Sequence, residues 1–310
     1  MPITTRSYTD ADLPHLQSAL ARWIQQAGDC GYYHVGNIAH RIYEGFSGAQ
    51  PVNQLVHIWE EEAEIIGFTY SFVFGAAFFT FTCPRYRGTQ VERAMLRAAS
   101  ATTRHFIQQN QHADAAVITD VYNCDHRRIA LLTQLGFVHD RMWDYITEQS
   151  LARPLPTPIV PAGFEIRSAT LADYAQLALI RNNAFNSAWT PAAYRDHVMR
   201  RPHYRPENEI VAVAPDGRLA AFTVIRLDPI NKVGQFEPVG THSDFRRLGL
   251  ARAMMLHGLA QMQQQGMTRA TVEHLAENVP ARELYRSLGF QKKYETLGFK
   301  QVQPDAGRDG

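Results

Sequence analysis

The sequence predicts a protein of the α/β (α+β) class that is built from two similar halves. Strand-like and helix-like runs alternate along the 310 residues, a length that suggests two domains of ordinary size. A stretch with four prolines interrupts the alternation at 151–163, and the order of strands and helices then begins again. We therefore expect domains over 1–150 and 164–303, a linker over 151–163, and a disordered tail over 304–310.

The first half alternates strands and helices as far as residue 147. Ile65–Cys83 is long and apolar enough to suggest a membrane span. Its aromatic residues alternate with Thr and Ser at period two, which favours two adjoining strands instead. The remaining expected elements are strands over 3–8, 54–60, 115–121 and 138–147, and helices over 12–27, 35–46, 89–111 and 125–135.

The second half repeats this order. Pro191 after Thr190 marks the start of a helix, and Pro215-Asp216-Gly217 marks a hairpin turn. The expected strands are 164–167, 210–214, 219–227, 233–241 and 271–272, and the expected helices are 171–185, 250–265 and 278–289.

Composition and charge argue against several classes of function. The formal net charge of +1 gives no sign of a nucleic-acid partner. The 13 histidines show no metal-ligand spacing, so no metal is expected. Cys30, Cys83 and Cys124 are isolated and odd in number, which favours reduced thiols in the cytoplasm. No charged and then apolar leader precedes Ile3, so neither a signal peptide nor a membrane partner is expected.

The stretch His242–Ala251 has the pattern of an anion-binding loop. It joins a strand-like run to a helix-like run, so backbone N–H groups and the positive end of a helix point at one place. Arg246 and Arg247 add positive charge, and Gly249 lets a ligand approach the backbone closely. A phosphate or pyrophosphate fits such a loop. The alternative is a plain connection with surface arginines.

The spacing Arg246-x-x-Gly249-x-Ala251 resembles the acyl-coenzyme A pyrophosphate loop of the GNAT superfamily, the acyl-CoA-dependent N-acetyltransferases. The segment Asn278–Phe290 resembles a later helix of the same superfamily. The resemblance implies two tandem GNAT-like domains, each with a mixed, mostly antiparallel sheet flanked by helices. Tandem GNAT chains of about this length include ones similar to mycothiol synthase.

The resemblance also implies acetyl-CoA as the co-substrate and indicates which residues bind it. Pro238 has no N–H to give a sheet ladder, which fits the splayed strand of these enzymes. An edge strand without a ligand is the alternative for that strand, and a helix cap alone is the alternative for Asn278. The implied binding residues are Val239, Gly240 and Thr241 on the strand, Arg246, Arg247, Leu248, Gly249, Leu250 and Ala251 in the loop, and Asn278.

Tyr285 and Glu237 are the candidate catalytic residues. The resemblance places Tyr285 near the thioester sulfur as the acid, whereas helical spacing alone would make it part of a buried stripe. On a regular strand Glu237 shares a face with Val239 and Thr241, which suggests a base near the acyl group. A structural role for Glu237 is the alternative. Its neighbours Gln235, Glu273 and His274 are also able to act, and in chains similar to mycothiol synthase the acid aligns with Gln235.

The first half departs from the pattern at two positions. Arg85 and Gly88 match the loop, but Gln90 stands where Ala251 stands. Leu132 stands where Tyr285 stands, so the hydroxyl is missing. We expect a degenerate first domain that shapes the substrate cleft.

These observations predict an acetyl-CoA-dependent N-acetyltransferase that acts by direct attack in its C-terminal domain. The acceptor is expected to be a small-molecule amine or a peptide amine. A non-catalytic acyl-CoA-binding or sensing module is the alternative. Neither the acceptor nor the oligomeric state follows from the sequence.

Overall fold

The computed structural model describes residues 2–45, 52–72, 76–109, 116–201 and 203–301. Its strands are β1 (Thr4–Ser7), β2 (Val56–Glu61), β3 (Glu64–Phe72), β4 (Ala77–Thr82), β5 (Val117–Tyr122), β6 (Val138–Ser150), β7 (Glu165–Ser168), β8 (Glu209–Val213), β9 (Leu219–Asp228), β10 (Val233–Thr241), β11 (Arg269–Leu275) and β12 (Gln291–Gln301). Its α-helices are α1 (Leu13–Ala27), α2 (Val35–Ala39), α3 (Val52–Leu55), α4 (Gln90–Gln109), α5 (His126–Gln134), α6 (Tyr174–Phe185), α7 (Pro191–Tyr194), α8 (Leu250–Gln264) and α9 (Val279–Ser287).

The apolar run Ile65–Cys83 forms strands, as predicted. β3 and β4 pair antiparallel from Gly67 with Thr82 to Phe72 with Ala77. Phe74 and Gly75, which belong to the predicted strand pair, lie outside the described residues. Among the residues that the model covers, no helix has the length and apolar character that a membrane crossing needs. Strand β12 was not predicted from the sequence.

The chain forms two compact units that do not coincide with its two halves. The first unit contains Met1–Tyr33, Ala49–Tyr145 and Tyr294–Gly310. The second unit contains His34–Gly48 and Ile146–Lys293. Each unit therefore includes a segment from the other half of the sequence. The expected boundaries at 150 and 164 stay a prediction, and the expected disordered tail 304–310 lies outside the described residues.

The two units have sheets of matching order. In the first unit the order is β1-β2-β3-β4-β5-β12, to which β12 contributes Tyr294–Gln301. In the second unit the order is β7-β8-β9-β10-β11-β6, to which β6 contributes Ile146–Ser150. The first four strands of each sheet are antiparallel, and the fourth and fifth are parallel. The predicted mixed, mostly antiparallel sheet is confirmed.

A short motif opens both units in the same way. In the first unit, Asp12 accepts hydrogen bonds from the backbone N–H and hydroxyl of Thr9 at 2.8 and 2.9 Å, and it pairs with Arg6. In the second unit, Asp173 accepts the same two bonds from Thr170 at 2.7 and 2.9 Å, and it pairs with Arg167. Each motif is a capping box that is locked by an arginine from the preceding strand.

The core of the second unit lies between α8 and one face of its sheet. Phe236, Met254, Met255 and Leu259 are almost fully buried there. A Cβ on Gly258 would come within 2.6 Å of the Phe236 ring, so glycine is needed for α8 to pack this closely against β10. This packing fixes α8 against β10.

The cysteines are not all reduced, in contrast to the expectation from the sequence. Cys30 and Cys124 form a disulfide within the first unit, and Cys83 is free and buried. The two bonded residues are 94 positions apart in the sequence. Spacing alone gave no sign of the pair, because the fold brings the loop after α1 next to the start of α5.

Candidate functional site

β10 continues beyond its pairing with β11. The parallel ladder runs from Val233 with Arg269 to Phe236 with Val272. β10 then extends to Thr241 and is paired on its other side with β9. The predicted binding residues Val239, Gly240 and Thr241 lie on this extension. Their backbone groups on the side of β11 are therefore available to a ligand that lies along the strand.

A bulge interrupts β10 at Glu237 and Pro238. Phe236 pairs with Ile225 and Val239 pairs with Thr223, so two residues of β10 stand opposite a single residue of β9. The peptide bond between Glu237 and Pro238 is cis. Thr223 donates a hydrogen bond to the Pro238 carbonyl at 2.9 Å.

The expectation that Glu237 shares a face with Val239 and Thr241 is wrong. Phe236 and Val239 pack against the same core cluster although they are three residues apart. Because the bulge breaks the alternation of side chains, Val239 lies on the side of Phe236, whereas Glu237, the neighbour of Phe236, points to the other face. Its carboxylate contacts His40 instead, with Oε1 3.2 Å from the histidine Nε2.

The loop His242–Ala251 joins β10 to α8, and its arginine side chains are accessible to solvent. His242 Nδ1 accepts a hydrogen bond from the Asp244 N–H at 3.2 Å. Gly249 caps α8 with φ of 82°, a left-handed conformation that favours glycine. Arg246, Arg247 and Leu248 are exposed. Leu250 is buried and anchors the start of the helix, while Ala251 is half-buried.

The donors of this loop have little else to bind. Arg246 reaches only the Thr241 carbonyl, at 3.5 Å. Within the described ranges, neither Arg246 nor Arg247 forms an ion pair, and no group accepts a hydrogen bond from the N–H of Gly249. An anion placed here would meet unpaired donors and positive charge.

The corresponding loop of the first unit is occupied by its own side chains. The N–H of Gly88 donates to Oε2 of Glu92, which is completely buried. Glu92 Oε1 in turn accepts bonds from Arg128 at 2.6 and 2.8 Å. Arg87 pairs with Asp125 at 2.6 Å, and Arg85 pairs with Glu61 at 2.8 Å.

Two alanines account for the difference between the loops. Glu92 is four residues after Gly88, and Ala253 is four residues after Gly249. Arg128 is three residues after Asp125, and Ala281 is three residues after Asn278. A buried carboxylate thus binds the loop N–H in the first unit, whereas small side chains stand at both positions in the second unit.

Helix α9 carries Tyr285 and begins as predicted. Asn278 caps it by accepting a hydrogen bond from the Ala281 N–H at 3.1 Å. Tyr285 is buried, and its ring centroid lies 5.5 Å from that of His274 and 6.1 Å from that of Phe290. Burial and the nearby charge of Glu237 raise the pKa of Tyr285, so its hydroxyl keeps its proton at neutral pH.

Glu237 belongs to a charged network that the sequence did not indicate. His40 Nδ1 lies 3.1 Å from Oε1 of Glu44, on the ring side opposite the contact with Glu237. Arg181 and Arg226 contact Glu44 at 2.6 and 2.7 Å. The segment His34–Gly48, which carries His40 and Glu44, is far from Glu237 in sequence but belongs to the second unit. No motif pointed to it.

The other candidate bases lie near Glu237. Gln235 is buried, and no described residue is a partner of its amide oxygen. Glu273 lies 3.9 Å from Arg41. Burial lowers the pKa of His274, whose Nδ1 lies 2.9 Å from the Leu275 carbonyl. Within the described part of the chain, no group of three or more His, Cys, Asp or Glu side chains is placed to hold a metal ion.

Comparison with known proteins agrees with the fold. The acetyltransferase (GNAT) family matches residues 174–290. Mycothiol acetyltransferase of Nocardia farcinica is 30% identical over 225 residues, which are 68% of this chain and 68% of that protein.

Two solved structures are similar in fold along nearly the whole chain. A GCN5-related N-acetyltransferase from Sphaerobacter thermophilus has a TM-score of 0.62 at 18% identity and covers 97% of this chain and 96% of its own. A tandem GNAT protein from the clavulanic acid biosynthesis pathway has a TM-score of 0.59 at 13% identity and covers 98% of this chain and 100% of its own.

Proposed function

Because the chain belongs to the GNAT family of N-acetyltransferases, we propose that it transfers the acetyl group of acetyl-CoA to a primary amine by direct attack in its C-terminal half. The observation that carries this proposal is the contrast between the two loops. Among the described residues, no group accepts from the N–H of Gly249 and neither Arg246 nor Arg247 forms an ion pair, whereas the N–H of Gly88 binds Glu92. Only the second loop offers a pyrophosphate free donors.

The co-substrate would lie along the β10 extension with its pyrophosphate at the loop. Arg246 and Arg247 supply charge there, the backbone from Leu248 to Ala251 supplies N–H groups, and Gly249 and Ala251 leave room. Val239, Gly240 and Thr241 present backbone groups to the pantetheine arm and the acyl carbonyl. Asn278 is available as a polar contact, although its side chain already caps α9.

Two side chains of the second unit supply the proton transfers. The amine nitrogen attacks the thioester carbonyl carbon, and the C–S bond then breaks. The carboxylate of Glu237 takes the proton that the amine loses. Tyr285, whose raised pKa keeps its hydroxyl protonated, gives a proton to the departing thiolate.

We propose a small-molecule amine or a peptide amine as the acceptor. A panel of amines tests this, with release of free coenzyme A as the readout. The deacetylated form of mycothiol belongs in the panel, because a relative is named for mycothiol. Tight acetyl-CoA binding without turnover of any amine would favour the alternative of a binding or sensing module.

Glu237→Gln tests the assignment of the base. We expect turnover to fall by about a hundredfold or more, because the amide cannot accept the proton. Acetyl-CoA affinity should stay unchanged. In a plot of kcat/KM against pH, the fall in rate on the acidic side (the acidic limb) should disappear. Glu273→Gln is the matched variant on the adjacent strand. If that variant loses the limb while Glu237→Gln keeps it, Glu273 is the base.

A further inference from the structure

Both ring nitrogens of His40 lie within ion-pair distance of a carboxylate, although among the described residues Nδ1 has no partner with hydrogen-bond geometry. Nε2 lies 3.2 Å from Oε1 of Glu237, and Nδ1 lies 3.1 Å from Oε1 of Glu44. A neutral imidazole has one N–H and one lone pair, so it would turn a lone pair toward one of the two anions. The imidazolium form has an N–H on both nitrogens. The geometry therefore favours a cationic ring between the two acids.

The far side of this bridge is held firmly. Glu44 is 8% exposed and binds Arg181 at 2.6 Å and Arg226 at 2.7 Å. Arg226 also donates from Nε to the backbone carbonyl of Glu237 at 3.1 Å. Arg226 thus connects Glu44 to the backbone at the bulge, and His40 connects Glu44 to the Glu237 side chain. Together, the contacts of His40, Glu44 and Arg226 fix the position of the Glu237 carboxylate.

We propose that His40 is the positioning residue of the base: it holds one carboxylate oxygen of Glu237, is itself held by Glu44, and leaves the other oxygen of Glu237 for the incoming amine. This inference rests on the proposed function of Glu237. It explains why a segment from the N-terminal half belongs to the second unit.

The electrostatics agree with this arrangement. Burial lowers the pKa of His40, but Glu44 and Glu237 outweigh burial and raise it above 6.5. Burial raises the pKa of Glu237, but His40, together with the charges of Arg41 and Arg226, outweighs burial and lowers it. Among the described residues, the charged or titratable groups near His40 and its two acids are Arg41 and Glu44 on its own segment, Arg181 on α6, His203 before β8, Arg226 on β9, Glu237 on β10, Glu273 on β11 and Tyr285 on α9.

The sign of the effect follows from these charges. A cationic His40 favours the ionised carboxylate, so Glu237 is ready to take a proton at lower pH than it would be alone. Replacing His40 with an uncharged residue raises the pKa of Glu237. The acidic limb of the kcat/KM profile must then move to higher pH.

The test compares wild type, His40→Leu, His40→Gln and the control His257→Leu on α8. For His40→Leu we expect kcat to fall by about tenfold to a hundredfold, because the base is no longer oriented. The acidic limb should move to higher pH, and acetyl-CoA affinity should not change. His40→Gln keeps a hydrogen-bond donor but not the positive charge. Its kcat should therefore be higher than that of His40→Leu, while its acidic limb should remain displaced to higher pH. If the acidic limb of the kcat/KM profile stays at the wild-type pH in both His40 variants, the inference is overturned.

A second measurement does not depend on turnover. Nuclear magnetic resonance of ¹⁵N-labelled imidazoles gives the pKa of His40, with the signal assigned by its loss in His40→Gln. We expect a value above 6.5 in wild type and a lower value in Glu237→Gln. Equal values in the two proteins would overturn the bridge even if no amine were turned over. Absence of turnover with this pKa difference intact would contradict only the proposed reaction.

Discussion

At the scale of single residues, Tyr285 combines burial with a hydroxyl that no described side chain binds. Its ring packs beside His274 and Phe290, so the ring has a structural role as well. Helical spacing alone predicted that structural role, and the family resemblance added the acid. The structure shows the packing role, and the acid role stays a prediction; the same burial that packs the ring also raises the pKa of the hydroxyl and keeps it protonated.

Tyr285→Phe separates these two roles, since it keeps the ring and removes the proton donor. We expect turnover to fall by about a hundredfold with acetyl-CoA affinity and thermal stability almost unchanged. Tyr174→Phe on α6 is the matched control, and its turnover should equal that of wild type. A normal turnover number for Tyr285→Phe would leave only the packing role.

Residue-level predictions failed where the backbone departed from a regular strand or where the contacts were distant in sequence. Glu237 was predicted as the base because it lies on the strand before the loop, and that assignment stays a prediction. Its face was predicted wrongly because one bulge shifts the alternation of side chains. His40 and Glu44 were not found at all. Arg181 and Arg226 are 137 and 182 residues from Glu44, and Glu237 is about as far from His40, so no local sequence pattern indicates these contacts.

At the scale of elements, local chemistry determined most boundaries correctly. Thr190 caps the helix that Pro191 begins, and Asn278 caps α9. β12 was missed because its lysines and glutamines lack clear alternation. The capping box at Thr9 and Thr170 was also missed, although the spacing Arg-x-x-Thr-x-x-Asp occurs in both halves.

The capping box of the second unit gives a prediction about stability and pH. Arg167 and the hydrogen bonds from Thr170 outweigh the effect of burial and lower the pKa of Asp173 to about 2. The ionised group therefore stabilises the fold above pH 3.8 and loses this effect as the pH falls through 2. We expect Asp173→Asn to lower the free energy of unfolding by about 1 kcal/mol near neutral pH. The difference from wild type, measured with urea, should shrink below pH 3.8; a constant difference would contradict this.

The two loops give a paired prediction at the same scale. Arg246→Glu places a carboxylate beside the proposed pyrophosphate and should weaken acetyl-CoA binding at least about tenfold. Arg85→Glu makes the same change in the first unit, where the loop N–H already binds Glu92. The acetyl-CoA affinity of Arg85→Glu, measured by calorimetry, should match that of wild type. Equal losses in both variants would mean that the open loop is not the binding site.

At the scale of the whole molecule, the repeat was visible in the sequence, but the grouping of segments was not. Each unit includes a segment from the other half of the sequence. The sequence did not predict this grouping, because contacts between distant parts of the chain leave no local pattern. The disulfide was hidden for the same reason: Cys30 and Cys124 are 94 residues apart. The cytoplasmic location that the cysteines suggested stays a prediction.

The two units of the repeat nevertheless have different loops, from which we predict one acetyl-CoA site per chain. The first unit fills its loop with Glu92 and Arg128 and has Leu132 in place of the tyrosine. Calorimetric titration of the intact chain should therefore show a single site, and Gly249→Trp should abolish both binding and turnover.

Gly217→Trp is the control for the backbone strain of that variant. Gly217 and Gly249 both have φ of 82° and nothing within 4 Å of an added Cβ, but Gly217 lies in the β8–β9 hairpin turn. Both tryptophan variants carry the same local cost, so their stabilities should be similar, while only Gly249→Trp should lose acetyl-CoA. Two equivalent tight sites, or turnover that survives in folded Gly249→Trp, would contradict a single site in the second unit.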